Sequence, residues 1–233
     1  MENASKALLM AGSILMSLLV IGVLTIAYNQ MSIAEQERVN AEEANKVVDY
    51  GKQFEQYNKT IYGSEILSLG NLKLDYNRLQ AELKTYEPIN IFARFNSNVA
   101  EGSNVYIASG NRTIEEIRTG IRRLENDIAY YEKKENGKVA PKDRIKRSIR
   151  SYAQYNNRQL ADLFEIPFSS DDSASAVMDK LTADSTTRTL IEQIDKYKSL
   201  KTLLTEFKRK QFAVKRMQYG GTGRMVRMEY EEI

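Results

Sequence analysis

The side chains available for chemistry in this 233-residue chain are carboxylates and cations, because it contains no histidine and no cysteine. Histidine is the commonest general acid/base and metal ligand, so its absence excludes Ser/His/Asp and Cys/His triads. Zinc sites built on Cys and His are excluded as well. The remaining acid/base material is carboxylate pairs such as Asp171 with Asp172, Glu115 with Glu116, and Glu231 with Glu232. Neighbouring residues on a helix or strand point in different directions, which makes such pairs poor catalytic dyads. Caps and solvated faces explain them better. The glycine run Gly220-Gly221-Thr222-Gly223 is followed by strand-like sequence, whereas a phosphate-binding loop needs a helix and a lysine there. The expectation is a non-enzymatic chain with no metal site and no cofactor.

Cations form two clusters. Residues 138–158 contain Lys142, Arg144, Lys146, Arg147, Arg150 and Arg158, interleaved with Tyr152 and Tyr155. Cations alternating with aromatics suit a polyanion, either DNA or an anionic wall polymer such as a teichoic acid. The competing reading, which we favour, is a solvated helix face with Ile145, Ile149 and Tyr152 turned to the core. The second cluster holds Lys208, Arg209, Lys210, Lys215, Arg216, Arg224 and Arg227. Cations on an edge strand also discourage sheet-to-sheet aggregation. The net charge of +3 is mild, so the distribution of charge matters more than its size.

The element that must position everything else is an uncharged run over residues 7–28. As a helix it covers about 33 Å, against a hydrocarbon core of about 30 Å. A signal peptide has a shorter apolar core and a small-residue cleavage site, and neither is present, so a retained anchor is expected. Gly12, Ser13, Ser17 and Gly22 are small residues of the kind that let membrane helices approach one another. Lys6 precedes the run, while Glu35, Glu37, Glu42 and Glu43 follow it and outnumber Arg38. That asymmetry predicts a cytoplasmic N-terminus and an extracellular remainder in a single-pass protein. With no cysteine to form disulfides, the exported part is held by its core alone.

Beyond the anchor, Ala41, Ala44, Val48, Gly51, Phe54 and Ile61 mark a narrow stripe that predicts a stalk helix running to about Tyr62, with Gly63 in the turn that ends it. Ser64 then caps a second helix over residues 65–86, forming a helical hairpin. After Pro88 the period changes to two: Ile89, Ile91, Ala93 and Phe95 predict a half-buried strand, with residues 105–108 as a shorter partner. Thr113 and Glu116 form a capping box ahead of Ile114, Ile117, Ile121, Leu124 and Ile128. Further helices are expected over 142–164, from Asp172 or Ser173 to Leu181, and from Asp184 or Ser185 to about Lys210. Strands over 212–219, bulged, and 224–231 close the chain as a hairpin. The fold class is therefore α+β, a small antiparallel sheet covered by helices. Its parts are an anchor (1–28), a stalk helix and helical hairpin (29–87), and an α+β domain (88–233) with a helical insertion over about 112–210.

The opening Asn3-Ala4-Ser5-Lys6-Ala7-Leu8, the segment 54–71 and the ending 206–232 resemble a widespread, mostly uncharacterised group of single-pass proteins from Clostridia-type Gram-positive bacteria. The resemblance covers both ends of the chain and brings no catalytic residues. The architecture also resembles type IV pilin-like proteins, in which a long N-terminal helix, half in the membrane, packs against an antiparallel sheet. The basic leader ending in glycine and the acid at the fifth mature position of prepilins are not present. Together these imply a membrane-anchored extracellular structural or assembly component, in contact with membrane lipid, with itself or with envelope proteins. A surface binding module for an anionic polymer or DNA is the alternative.

Overall fold

The computed structural model describes residues 2–83, 88–135, 140–220 and 225–233. The chain divides into two compact units, Met1–Glu55 and Gln56–Ile233. The first is a single helix, α1 (Glu2–Glu55), of 54 residues, which at 1.5 Å per residue is about 81 Å long. No proline interrupts it, since the prolines stand at positions 88, 141 and 167. Its segment Lys6–Glu42 is long and apolar enough to cross a membrane by length and composition, and none of its most apolar window is buried.

The helix stops seven residues short of the expected Tyr62. After a turn, Ile61–Tyr62 form a two-residue strand, β1. The reason lies in the C-terminal hairpin, which captures this stretch. Ile61 pairs with Phe212, and the Gly63 amide donates to the Lys210 carbonyl at 2.8 Å. Gly63 is required at this approach, because a Cβ there would lie 2.0 Å from the Phe207 carbonyl oxygen. Gly63 therefore opens α2 (Gly63–Leu83) instead of ending the stalk, and a strand separates the two helices expected to form a direct hairpin. The expected end of α2 at Tyr86 lies outside the described residues.

The second unit is α+β, as the order of its sequence patterns indicates. A five-stranded sheet runs β1-β6-β7-β2-β5, built from β2 (Asn90–Phe95), β5 (Gly110–Thr113), β6 (Gln211–Tyr219) and β7 (Met225–Glu232). All its pairings are antiparallel except β2 with β7, which run parallel. The expected bulge in the first strand of the C-terminal hairpin is present, with the register shifting between Val214 and Arg216. Residues 105–108 do not partner β2. Instead β4 (Asn104–Ile107) pairs with β3 (Val99–Glu101) in a separate hairpin that turns at Gly102, whose φ of 58° suits glycine. The antiparallel neighbour of β2, opposite β7, is β5, four residues rich in polar side chains whose sequence carries no apolar alternation.

Alternation places Ile91, Ala93 and Phe95 of β2 in the core with Phe212, Met228 and Tyr230. Phe95 stacks on Phe207 with ring centroids 6.4 Å apart and meets Phe212 edge-on at 5.2 Å. Helix α3 (Ile114–Lys133) starts at the expected capping box, with the Glu116 amide donating to Thr113 and the Thr113 amide to the Glu116 carboxylate. All five of its predicted core residues are buried, and so is Gly120. α3 packs on α7 (Ser185–Arg209), capped by Asp184, which buries Leu190, Ile194, Tyr197, Leu200 and Phe207.

Between them the chain departs from expectation. The continuous helix predicted over 142–164 is two short pieces, α4 (Ile149–Tyr152) and α5 (Asn157–Leu163), preceded by a turn. Local polar chemistry makes the breaks. Ser148 caps α4 by accepting from the Ser151 amide, while Asn156 and Gln159 form a capping box that starts α5. Arg144 adopts a left-handed φ of 52°, which no helix interior tolerates. Helix α6 (Ala174–Ala183), capped by Ser173, follows and packs against α5 and α7.

Candidate functional site

The first basic cluster lies on a turn and two short helices, and most of its charge is committed internally. Lys142 pairs with Asp162 at 2.5 Å and Arg150 with Glu132 at 2.9 Å. Arg147 pairs with Asp143 and donates to the Tyr155 hydroxyl at 2.5 Å, while Arg158 donates to the carbonyls of Ser170 and Asp172. Arg144, Lys146 and Arg158 are exposed with no acidic partner among the described residues, and of these only Arg158 has its guanidinium engaged, by the two carbonyls. Ile149 and Tyr152 are fully buried, as the solvated-face reading requires, but Ile145 is not turned inward. It is 62% exposed, the most exposed large aliphatic side chain of this unit among the described residues apart from the C-terminal residue. The sequence spacing of 145, 149 and 152 imitates a helical stripe, and the signal against it is the Ser148/Ser151 pair. Burial raises the Tyr152 hydroxyl above the usual phenol range, and this hydroxyl has no hydrogen-bond partner among the described residues.

The second cluster sits at the end of α7 and on β6 and β7. Lys210 is joined to Glu232, Lys215 to Glu231 at 2.9 Å, and Arg227 to Glu229 at 2.6 Å. Arg227 also covers the Phe92 ring, 4.5 Å from its centroid. Lys208 and Arg209 are exposed with no acidic partner among the described residues, and Arg224 lies outside those residues. The two clusters are not brought together. Arg150 bonds Glu132, which accepts from Tyr197 at 3.5 Å, and Tyr197 precedes Arg209 by 12 residues of α7, about 18 Å. Of the eight candidate polyanion contacts, Lys142, Arg147, Arg150 and Lys210 are paired, leaving Arg144 and Lys146 in one place and Lys208 and Arg209 in another.

Each of the pairs at 115/116, 171/172 and 231/232 has a structural task. Glu115 pairs with Lys73, the one buried cation among the described residues, at 2.6 Å, and Glu116 completes the α3 cap. Asp172 accepts from Lys180 and from the Ser169 amide, which hold its carboxyl below the usual range. Lys215, with Arg94 beyond it, does the same for Glu231. Glu232 accepts from the Asn96 amide at 2.8 Å and ties β2 to the hairpin. Among the described residues no group of three or more Asp, Glu, His or Cys is arranged to hold a metal ion.

One shallow groove of about 380 Å³ lies between the β3–β4 hairpin and α3, lined by Tyr106, Arg112, Glu115, Glu116, Thr119 and Arg123. Its strongest hydrogen-bonding groups are already used. Arg123 donates to the Tyr106 carbonyl, Arg112 donates to the carbonyls of Ala108 and Ser109, and the Tyr106 hydroxyl donates to Asp127 at 2.6 Å. Burial and that last bond push the Tyr106 hydroxyl above the usual phenol range. The groove holds a hairpin in place and presents no convergent set of free groups.

No family model, no curated protein and no solved structure matches this chain.

Proposed function

We propose that this chain is a membrane-anchored structural or assembly component of pilin-like architecture, with the unit Gln56–Ile233 on the extracellular side. One observation carries the reading: α1 is a single uninterrupted helix whose first half is apolar and exposed throughout its most apolar window and whose second half is polar. Leu8, Leu15, Leu19 and Leu24 stay between 62% and 79% exposed, a surface that water penalises and lipid accepts. Lys6 before the span and the acids after it support the orientation. The carboxylates that remained as acid/base candidates serve as caps and ion-pair partners, which supports a structural part over a catalytic one.

The test uses the full chain with a C-terminal tag. It should resist carbonate extraction from membranes, lose the tag when protease is added to intact cells, and co-purify with a differently tagged copy in mild detergent. Release by carbonate overturns the anchor, tag protection overturns the orientation, and strictly monomeric behaviour overturns the assembly reading.

A further inference from the structure

The turn at residues 143–147 presents one apolar side chain between two cations that have no acidic partner among the described residues. Its outer cations are pinned within the unit, Lys142 to Asp162 and Arg147 to Asp143. The Asp143 and Arg144 amides both donate to the Ala140 carbonyl, at 3.1 and 2.9 Å, which closes the turn and holds Arg144 at its left-handed φ. Arg144 and Lys146, on either side of Ile145, are left without an acidic partner among the described residues. An exposed isoleucine flanked by cations fits a surface that is apolar and acidic together.

Such a surface exists on this chain. On the polar half of α1, Met31, Glu35, Val39 and Glu42 follow at spacings of four, four and three, so they share one helix face. Met31 is 73% and Val39 is 43% exposed. Glu42 has no ion-pair partner among the described residues, and Glu35 has only the exposed Arg38 at 2.9 Å, a pair that solvent weakens. The charge balance of the two units points the same way. Residues 29–55 carry six acids against three bases, whereas residues 56–233 carry thirty bases against twenty-four acids. Opposite net charges on two different surfaces favour encounter between copies and oppose stalk-to-stalk or head-to-head approach.

We infer that the Arg144-Ile145-Lys146 turn of one copy docks on the Met31/Glu35/Val39/Glu42 face of α1 in a second copy. This rests on the assembly reading above and names its contact. Ile145 packs against Val39 and Met31 while Arg144 and Lys146 meet Glu35 and Glu42. Because the two surfaces differ, the contact is heterologous, and repetition of it produces a chain of copies that does not close on itself unless the rotation happens to form a ring.

The absence of cysteine makes the test clean. Two differently tagged full-length populations, one Ile145→Cys and one Val39→Cys, are co-expressed in membranes and oxidised. The expected result is a mixed disulfide at least tenfold above the control pair Ser103→Cys with Val39→Cys, since Ser103 is exposed on the β3–β4 turn. Arg144→Glu with Lys146→Glu in the first population should abolish the cross-link, and Glu35→Lys with Glu42→Lys in the second should restore it. Co-purification of the tags is read in the same samples. Copies that co-purify without the mixed disulfide, or a charge swap that fails to restore it, overturn this docking while leaving assembly standing. Copies that do not co-purify overturn the assembly reading and this contact with it. A full chain that shows no cross-link, and whose salt-dependent retention on DNA is lost in the Arg144→Glu/Lys146→Glu variant, assigns the turn to a polyanion and overturns the proposal.

Discussion

Gly120→Ala should destabilise the protein even though alanine is the better helix former. An ideal Cβ at position 120 would lie 2.3 Å from the Tyr106 carbonyl oxygen and 2.8 Å from Cγ1 of Ile107, where ordinary contact begins at about 3.4 Å. The obstacle is backbone, so no rotamer change relieves it. The carbonyl must retreat by about 1 Å, yet two side chains of α3 itself hold the strand down, Arg123 on that carbonyl at 3.0 Å and Asp127 on the Tyr106 hydroxyl at 2.6 Å. Overpacking of this kind costs about 1 to 3 kcal/mol, and a backbone obstacle belongs at the upper end. Helix propensity returns about 1 kcal/mol. The net loss is therefore about 2 kcal/mol, which for a chain of this size lowers Tm by about 4 to 8 °C. Thermal melting of the purified full chain in detergent, followed by circular dichroism, measures it. Gly12→Ala, where an added Cβ meets nothing within 4 Å, is the comparison and should melt like the parent protein. A Gly120→Ala variant that melts at or above the parent would show that propensity dominates and that the close approach of α3 to β4 does not set the packing.

Two further outcomes follow from the sheet. Lys215 and Arg94 hold the Glu231 carboxyl below its usual range, so the stabilisation is fully present above the unfolded value, about 4.3, and is lost as pH falls through the lower folded value. Tm of the parent should therefore drop more between pH 5 and pH 2 than Tm of Glu231→Gln, and parallel curves would refute the coupling. Tyr230 is buried and donates to the Tyr57 carbonyl at 2.7 Å, so Tyr230→Phe leaves that oxygen without its partner and should cost about 1 to 2 kcal/mol in denaturant unfolding, where a neutral result would show that water replaces the bond.

The sequence made the local features legible and hid the long-range ones. Thr113, Ser173 and Asp184 cap helices where their neighbours indicate, because a cap is written within four residues. The alternation of Ile91, Ala93 and Phe95 names the core face of β2 but not its partners, and its parallel pairing with β7 joins residues more than 130 positions apart. β5 was invisible because Gly-Asn-Arg-Thr has no apolar period. The basic turn was misread because Ile145, Ile149 and Tyr152 carry helical spacing, while the Ser148 and Asn156 caps that break the helix are weaker signals than an apolar stripe. Site legibility followed the same division. Residue types alone excluded histidine and cysteine chemistry, but which cations remain free depends on acids at positions 132, 162 and 232 that only the fold brings near.

The way the chain enters its second unit bears on an anchored role. Any load carried through an anchor reaches residues 56–63 first, so the strength of the fold there matters more than its average stability. That stretch is tied at three points to the opposite end of the sequence: β1 pairs with β6, the Gly63 amide donates to Lys210, and the Tyr57 carbonyl accepts from Tyr230 in β7. β7 in turn lies between β6 and β2 inside the sheet, and Glu232 links it to Lys210 and to Asn96. Residues 56–63 are thus tied to β6 and β7 as well as leading into α2. A two-residue strand is a poor element by itself, with two backbone pairings at the sheet edge. Its value here is as a clasp, and Tyr230→Phe loosens that clasp without touching the apolar segment of α1 or the basic turn, so it changes the stability of the entry point alone.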